Sequence, residues 1–261
     1  MTLWQGVVLG LVQGLTEFLP VSSSGHLVVV EALTGLQAPG VFVEVALHVA
    51  TLGSVLVVYG RRLAGIAVGV LRGRREDARY AALLVLGTLP AGVVGVAFHT
   101  AIERAFDSLA FVGAAFIATG VFLWSTRHRA GGGRAAPSAL GALAVGAAQA
   151  VAVLPGISRS GSTVGAGLWC GLGPVQAAEF SFLLAVPVIA GAALLEGRDA
   201  GASLAAVGAL PLAVSCVVAL VSGIWAIRFL LALLRRGRFH AFAPYCWAVG
   251  ALTLVYGLWL A

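Results

Sequence analysis

Lysine is absent from this chain. All 16 basic residues are arginine, a bias that a GC-rich genome explains as readily as a functional demand does. Charge of either sign is scarce: 10% of the 261 residues are charged, 60% are hydrophobic, and the mean hydropathy is +1.02. So few charges cannot cover the surface of a soluble domain of this size, which excludes that class. Cysteine is rare as well. Cys170, Cys216 and Cys246 are isolated inside apolar segments, without metal-ligand spacing or an even count. They exclude a disulfide framework and a thiolate metal centre, and read as small core residues. The first residues carry no basic stretch of the kind that precedes a cleaved signal, so none is expected. The net charge of +6 lies in short turns and not along one amphipathic face. That argues against nucleic acid and for loops facing anionic lipid.

What is present is a series of apolar stretches of ~20 residues, the length that spans a bilayer as helix. Spans are expected at about 42–59, 80–98, 109–126, 177–195, 204–227 and 242–260. Two further apolar stretches, 3–38 and 139–175, are interrupted by polar residues. Of the 16 arginines, 13 fall in three loops: Arg61, Arg62, Arg72, Arg74, Arg75 and Arg79; Arg127, Arg129 and Arg134; and Arg228, Arg235, Arg236 and Arg238. The positive-inside rule assigns those loops to the cytoplasm. The loops with Glu103, Arg104 and Asp107, and with Glu196, Arg198 and Asp199, are then outside. Counting crossings makes each interrupted stretch begin and end on one side of the membrane. Each is therefore expected to be a re-entrant hairpin, the two entering from opposite faces.

The halves also resemble each other. Gln13 precedes Ser22-Ser23-Ser24-Gly25 by the same interval at which Gln149 precedes Ser158-Arg159-Ser160-Gly161. The expected fold is an all-α integral membrane protein with an inverted-topology repeat, 1–130 and 138–261, each half one re-entrant hairpin and three transmembrane helices. Broken backbone is tolerated at membrane depth only where protein or water satisfies it, so the two tips are expected to share a polar cavity.

Gln13 and Glu17 share a helical face, and Pro20 ends that helix before three hydroxyls, Gly25 and His26. The second tip brings Ser158, Arg159, Ser160, Gly161 and Thr163. A cation at a buried apex costs at least ~2.5 kcal/mol unless paired, so Arg159 needs an anion. A planar guanidinium suits phosphate, and Ser-Gly turns free backbone N–H groups at helix starts for the same use. Bland readings compete. Glu17 can be a paired structural carboxylate, His26 a satisfied core histidine, and the serines can bond helix backbone. Gln13 and Gln149 are expected to hydrogen-bond across the pseudo-two-fold. Glu44 and His48 share a helical face and, with Gln149, are candidates to support the site residues from behind; Glu179 is similar at the second hairpin. Trp4, Trp124 and Trp259, near span ends, read as interface anchors.

The segments Gln13–His26 and Pro155–Thr163 resemble the two signature motifs of the undecaprenyl-diphosphate phosphatase family of bacitracin-resistance type. Phe42–His48 and Ala178–Pro187 are also similar to that family, and the resemblance covers nearly the full length. Gln13 stands where many members have Glu; the pattern admits either. The resemblance implies a hydrolase that converts undecaprenyl diphosphate to undecaprenyl phosphate and inorganic phosphate. It would recycle the lipid carrier for cell-wall synthesis and confer bacitracin resistance. It implies a bacterial plasma membrane, a cavity opening to the periplasm and a divalent cation, Mg²⁺ or Ca²⁺; family analogy also allows a homodimer. Catalytic roles fall to Glu17, Ser23, His26 and Arg159, and phosphate binding to Ser22, Ser24, Gly25, Ser158, Ser160, Gly161 and Thr163. Glu17 is then a metal ligand or a base, with Gln13 at the edge of the metal shell. His26 is a general acid or base. The nucleophile is Ser23 or water. The rival reading is a polyprenyl-phosphate flippase or small-anion transporter using the same inverted-repeat cavity. Acid-phosphatase chemistry with a lysine-bearing motif is excluded by the missing lysine.

Overall fold

A computed structural model of the protein describes residues 1–34, 41–129, 133–196 and 207–260. It is helical throughout the described residues apart from turns and one isolated bridge between Arg134 and Leu172. The helices are α1 (Leu3–Phe18), α2 (Ser23–Thr34), α3 (Val41–Leu71), α4 (Arg75–Ala97), α5 (His99–Phe106), α6 (Leu109–Ser125), α7 (Ala139–Val151), α8 (Arg159–Trp169), α9 (Pro174–Glu196), α10 (Ala209–Arg235) and α11 (Ala243–Leu260). Among the described residues 6 helical segments are long and apolar enough to cross a membrane: Phe42–Leu71, Arg75–Ala97, Leu109–His128, Pro174–Gly191, Ala209–Arg235 and Phe239–Trp259. The chain is a multi-pass membrane protein.

The two interrupted stretches are helix–turn–helix pairs. In the first, Pro20 forces a stop after α1, and only residues 19–22 separate it from α2. In the second, residues 152–158 separate α7 from α8. The expected stretch 3–38 runs past Thr34 into residues outside those described, as do the start of the expected span at 204 and the loop residues Arg198 and Asp199.

Two expectations need correcting. The helix expected at 42–59 continues through Arg61 and Arg62 to Leu71, where Gly73, with φ +70, turns the chain. Nothing in between breaks a helix, so the first arginine loop is short and most of its charges sit on helix ends. Likewise the span expected to stop near 227 runs on to Arg235. The outer loop carrying Glu103 and Arg104 is also helical: α5 turns Ile102 and Phe106 inward and pairs His99 Nδ1 with Glu103 Oε2 at 3.4 Å on its open side.

The packing is reciprocal. Helix α1 lies along α10, and α7 along α4; α3 meets α10, and α4 meets α9. The leading helix of each hairpin thus rests on the second long helix of the other half. Small residues make this possible. A side chain at Gly6, Gly10 or Gly14 would strike the backbone oxygens of Pro211, Ser215 and Ala219 in turn, so α1 sits directly on the α10 backbone. At Gly146, Gly10's counterpart in the second half, a side chain would strike the Gly87 carbonyl of α4. Helices α6 and α11 pack in the same close manner, with Gly113 against Leu254 and Gly250 against the Gly113 carbonyl.

The core around the tips is apolar and aromatic. Phe18, Phe180, Phe182, Leu183 and Leu184 are buried, and Phe18 meets Phe182 edge-on at 5.4 Å between ring centroids. Trp4 and Trp259 lie exposed near helix ends. Cys170, Cys216 and Cys246 are free.

Candidate active site

The hairpin turns meet. A side chain at Gly25 would come within 2.9 Å of the Gly156 Cα and 2.6 Å of the Phe116 ring, so the first turn presses on the second where both lack a Cβ. Gly156 itself has φ +90, a conformation that glycine adopts without strain. Side chains tie the junction. Ser160 Oγ donates to the Leu19 carbonyl at 2.9 Å. Thr119 Oγ1 of α6 donates to the Gly156 carbonyl at 2.9 Å and accepts from the Ser158 N–H at 3.1 Å. Cys246 of α11 donates to the Pro20 carbonyl, Sγ to oxygen 3.6 Å.

Within this junction lies Glu17, its side chain 4% exposed. Its Oε1 accepts from Arg159 Nη2, the ion pair that joins the two hairpins. Its Oε2 accepts from Ser23 Oγ at 2.6 Å and from Gln13 Nε2 at 3.0 Å. His48 Nε2 stands 3.4 Å from the same oxygen. His48 Nδ1 is 2.8 Å from the Glu44 carbonyl, which fixes the ring. An acid in this setting is held by a guanidinium, a hydroxyl, an amide and an imidazole at once. The interior location strengthens each charge-assisted bond and makes removal of any one partner costly.

The ion pair borders a cavity of about 530 Å³. Its polar lining includes Glu17, Ser22, Ser23, Ser24, Glu44, His48, Gln149, Ser158 and Arg159. The remaining walls are mostly apolar: Ala91, Gly92 and Val96 of α4, Ile102 and Phe106 of α5, and Pro187, Val188 and Ile189 of α9. Among the described residues, Arg159 Nη1, Gln13 Oε1 and both amide atoms of Gln149 are buried at this site without a hydrogen-bond partner.

The structure gathers Gln13, Glu17, Ser23 and Arg159 into one hydrogen-bonded set, and brings Ser22, Ser24 and Ser158 to the cavity wall. Other candidates lie elsewhere. Gly25, Ser160 and Gly161 do not line the cavity; they pack the junction between the turns, Gly161 with Pro20 of the first turn 3.3 Å from where its Cβ would stand. Thr163 donates to the Arg159 carbonyl at 2.7 Å and lies 2.5 Å from Ser181 Oγ, facing α9. His26 is also outside the cavity lining. Its Nδ1 is 2.7 Å from the Ser22 carbonyl and its Nε2 2.8 Å from Tyr245 Oη, with the tyrosine ring stacked on it. The imidazole beside Glu17 is that of His48. Glu44 lines the cavity with it, whereas Glu179 is bound to Arg62 Nε at 2.9 Å, away from the cavity. Gln13 and Gln149 do not bond each other: Gln13 Nε2 donates to the charged carboxylate of Glu17.

Sequence reasoning passed over Thr119, Tyr245 and the inner face of α5. Thr119 had one signal, a hydroxyl in an otherwise apolar span. Tyr245 was legible only as an aromatic near a span end.

The model of the family described as bacitracin resistance protein BacA matches residues 6–252. Among similar proteins, undecaprenyl-diphosphatase from Desulfosudis oleivorans is 43% identical over 97% of this chain and 98% of its own. The undecaprenyl-diphosphatases of Desulforapulum autotrophicum, 40% identical over 98% and 99%, and Salinibacter ruber, 41% identical over the full length of both, are similar to the same degree.

Proposed function

The chain belongs to the BacA family of bacitracin resistance proteins, and from that premise we propose that it hydrolyses undecaprenyl diphosphate to undecaprenyl phosphate and inorganic phosphate. One observation carries the reading. A single cavity has a carboxylate, a hydroxyl and a guanidinium in contact in its lining, together with apolar walls. A lipid diphosphate needs both. The anionic head requires fixed positive charge and hydrogen-bond donors, and the prenyl chain requires a surface that does not compete for water.

Ser23 is the nucleophile in this mechanism. Its O–H already points at Glu17 Oε2 across 2.6 Å, so the carboxylate takes the proton as Oγ bonds to the terminal phosphorus. The bond from that phosphorus to the bridging oxygen breaks, and prenyl phosphate leaves. Water then attacks the phosphoserine, Glu17 gives its proton back to the departing Ser23 Oγ, and inorganic phosphate leaves with both protons of the water. Arg159 neutralises charge on the phosphoryl oxygens through Nη1, the donor it holds without a partner. His48, beside Glu17, orients the carboxylate.

Gln13 Oε1 and Glu17 fit a hard divalent cation. The amide oxygen is buried without a donor, and Mg²⁺ commonly takes one or two protein oxygens with the rest supplied by phosphate and water. Among the described residues no three of His, Cys, Asp and Glu are grouped to hold a metal by themselves, which suits a cation that arrives with the diphosphate. Bound there, Mg²⁺ or Ca²⁺ would neutralise phosphate charge.

The proposed setting is the bacterial plasma membrane, where the reaction would recycle the lipid carrier for cell-wall synthesis and confer bacitracin resistance. A periplasmic mouth is supported by the cavity walls. They come from the start of α3 and the ends of α4 and α9, the ends opposite the arginine-rich loops.

The test is phosphate release from C55 diphosphate by the purified protein, with Mg²⁺ and with chelator. Wild type should be active, and Ser23→Ala should fall at least a hundredfold. Ser23→Ala within a few-fold of wild type would leave water as the nucleophile. An inactive wild type with metal present would remove the phosphatase reading in favour of transport.

A further inference from the structure

Gln149 is the strongest unexplained feature of the cavity. It is 2% exposed, and neither its Nε2 nor its Oε1 has a partner among the described residues. It lines the cavity together with Arg159, whose Nη1 is also buried and unengaged. An unpaired buried amide is costly to keep, so a polar residue here needs a compensating use.

The repeat explains how this amide came to be free. Gln13 and Gln149 occupy the same position in the two hairpins, each preceding the first serine of its turn by the same interval. Four residues after Gln13 stands Glu17, which takes up the Gln13 amide. Four residues after Gln149 stands Val153, whose side chain can accept nothing. The second hairpin therefore offers the amide without the carboxylate that occupies it in the first.

The location narrows the ligand. Gln149 shares the cavity wall with Ala152 and Val153 of its own hairpin and with Ala91 and Gly92 of α4, the helix against which α7 packs. It is thus a polar group of the lining with apolar neighbours on its own hairpin and on α4. A prenyl diphosphate in this cavity would have its terminal phosphate among Glu17, Ser23 and Arg159 and its chain along the apolar lining. The phosphate attached to the chain lies between.

We infer that Gln149 binds the prenyl-linked phosphate, donating from Nε2 to a non-bridging oxygen and so holding the leaving group while Ser23 attacks. The inference rests on the phosphatase reading above and adds to it the subsite for the departing lipid phosphate.

The experiment compares wild type, Gln149→Leu and Gln149→Glu in phosphate release from C55 diphosphate. It also measures inhibition by each product and thermal melting in detergent. In Gln149→Leu, kcat/KM should fall roughly tenfold to a hundredfold, the worth of a hydrogen bond to a charged group. Undecaprenyl phosphate should weaken as an inhibitor by a similar factor, while inorganic phosphate, which sits at Arg159, should inhibit as before. Melting should stay level or rise, because the substitution removes unsatisfied polar atoms. Gln149→Glu should lose more activity, since it sets a carboxylate against the phosphate. Wild-type rates in Gln149→Leu, equal weakening of both products, or a lowered melting temperature would each overturn the inference while leaving the phosphatase reading intact. An inactive wild type would remove the reading and the inference together.

Discussion

In the first hairpin the amide of Gln13 holds the carboxylate of Glu17 four residues on; in the second, Gln149 is followed at that spacing by Val153 and holds nothing. The two turns are otherwise built alike. Ser22 Oγ accepts from the Gly25 N–H at 3.4 Å, and Ser158 Oγ from the Gly161 N–H at 3.0 Å. Each of these serines also meets the hydroxyl two residues on, Ser24 at 3.4 Å and Ser160 at 3.2 Å. Between the matched serines and glycines the chemistry diverges: Ser23 in one turn, Arg159 in the other. Ser22 carries the strain, with φ +67 at a non-glycine residue, while Ser158 has an ordinary extended backbone, φ −74. Two serine–glycine turns of similar build are brought together. Point differences then set a carboxylate and a hydroxyl at one turn and a guanidinium at the other, so that opposite charges meet where the turns touch.

The largest test of that division is to remove its two ends. Glu17→Ala and Arg159→Ala should each lower phosphate release at least a thousandfold. The double variant should be scarcely worse than either single one, because each leaves the other charge buried and unpaired. Additive losses, measured as a double-mutant cycle in kcat/KM, would show that the two turns act independently.

A smaller effect should follow from separating the turns without touching charge. Gly156→Ala adds a methyl at φ +90, 2.5 Å from the Val112 carbonyl. It should lower thermal stability by on the order of 2 kcal/mol and reduce activity about tenfold. An unchanged melting curve would mean the contact between turns is loose.

The two histidines sharpen the comparison within the first half. His48→Gln should reduce kcat about tenfold or more, with KM little changed, because it removes the imidazole beside Glu17. His26→Gln should act through its bonds to the Ser22 carbonyl and Tyr245, and so mainly through stability. A larger kcat loss for His26→Gln would reverse this assignment and place His26 in the reacting complex. Smallest of all, Thr119→Val should cost about 1 kcal/mol in melting by unpinning the second turn from α6. Kinetics should change less than threefold.

The expected and observed architectures agree where hydropathy and charge leave few choices. The long apolar helices follow from residue type, and the pairing of Glu17 with Arg159 follows from the penalty on a lone charge at depth. The features that the spacing along the chain did not reveal have a common origin. Helix α3 overran its expected end because an apolar stretch does not reveal where a helix stops once arginines can ride on its last turns. His26 drew attention through its neighbourhood in the chain, yet the ring turns back to the Ser22 carbonyl, and α11 supplies Tyr245 on its other side. His48, thirty-one residues after Glu17, reaches the carboxylate only because α3 packs beside α1.

Composition and spacing alone determined that this chain lies in a bilayer, that it breaks its helices twice, and that it carries one acidic and one cationic turn. These are matters of transfer energy and of helical and proline geometry, which act locally. Which imidazole stands at the acid, which amide is left free, and which hydroxyls merely pin the turns were decided by the fold. They depend on side chains far apart in the chain meeting at distances of a few ångströms, and no local preference fixes those.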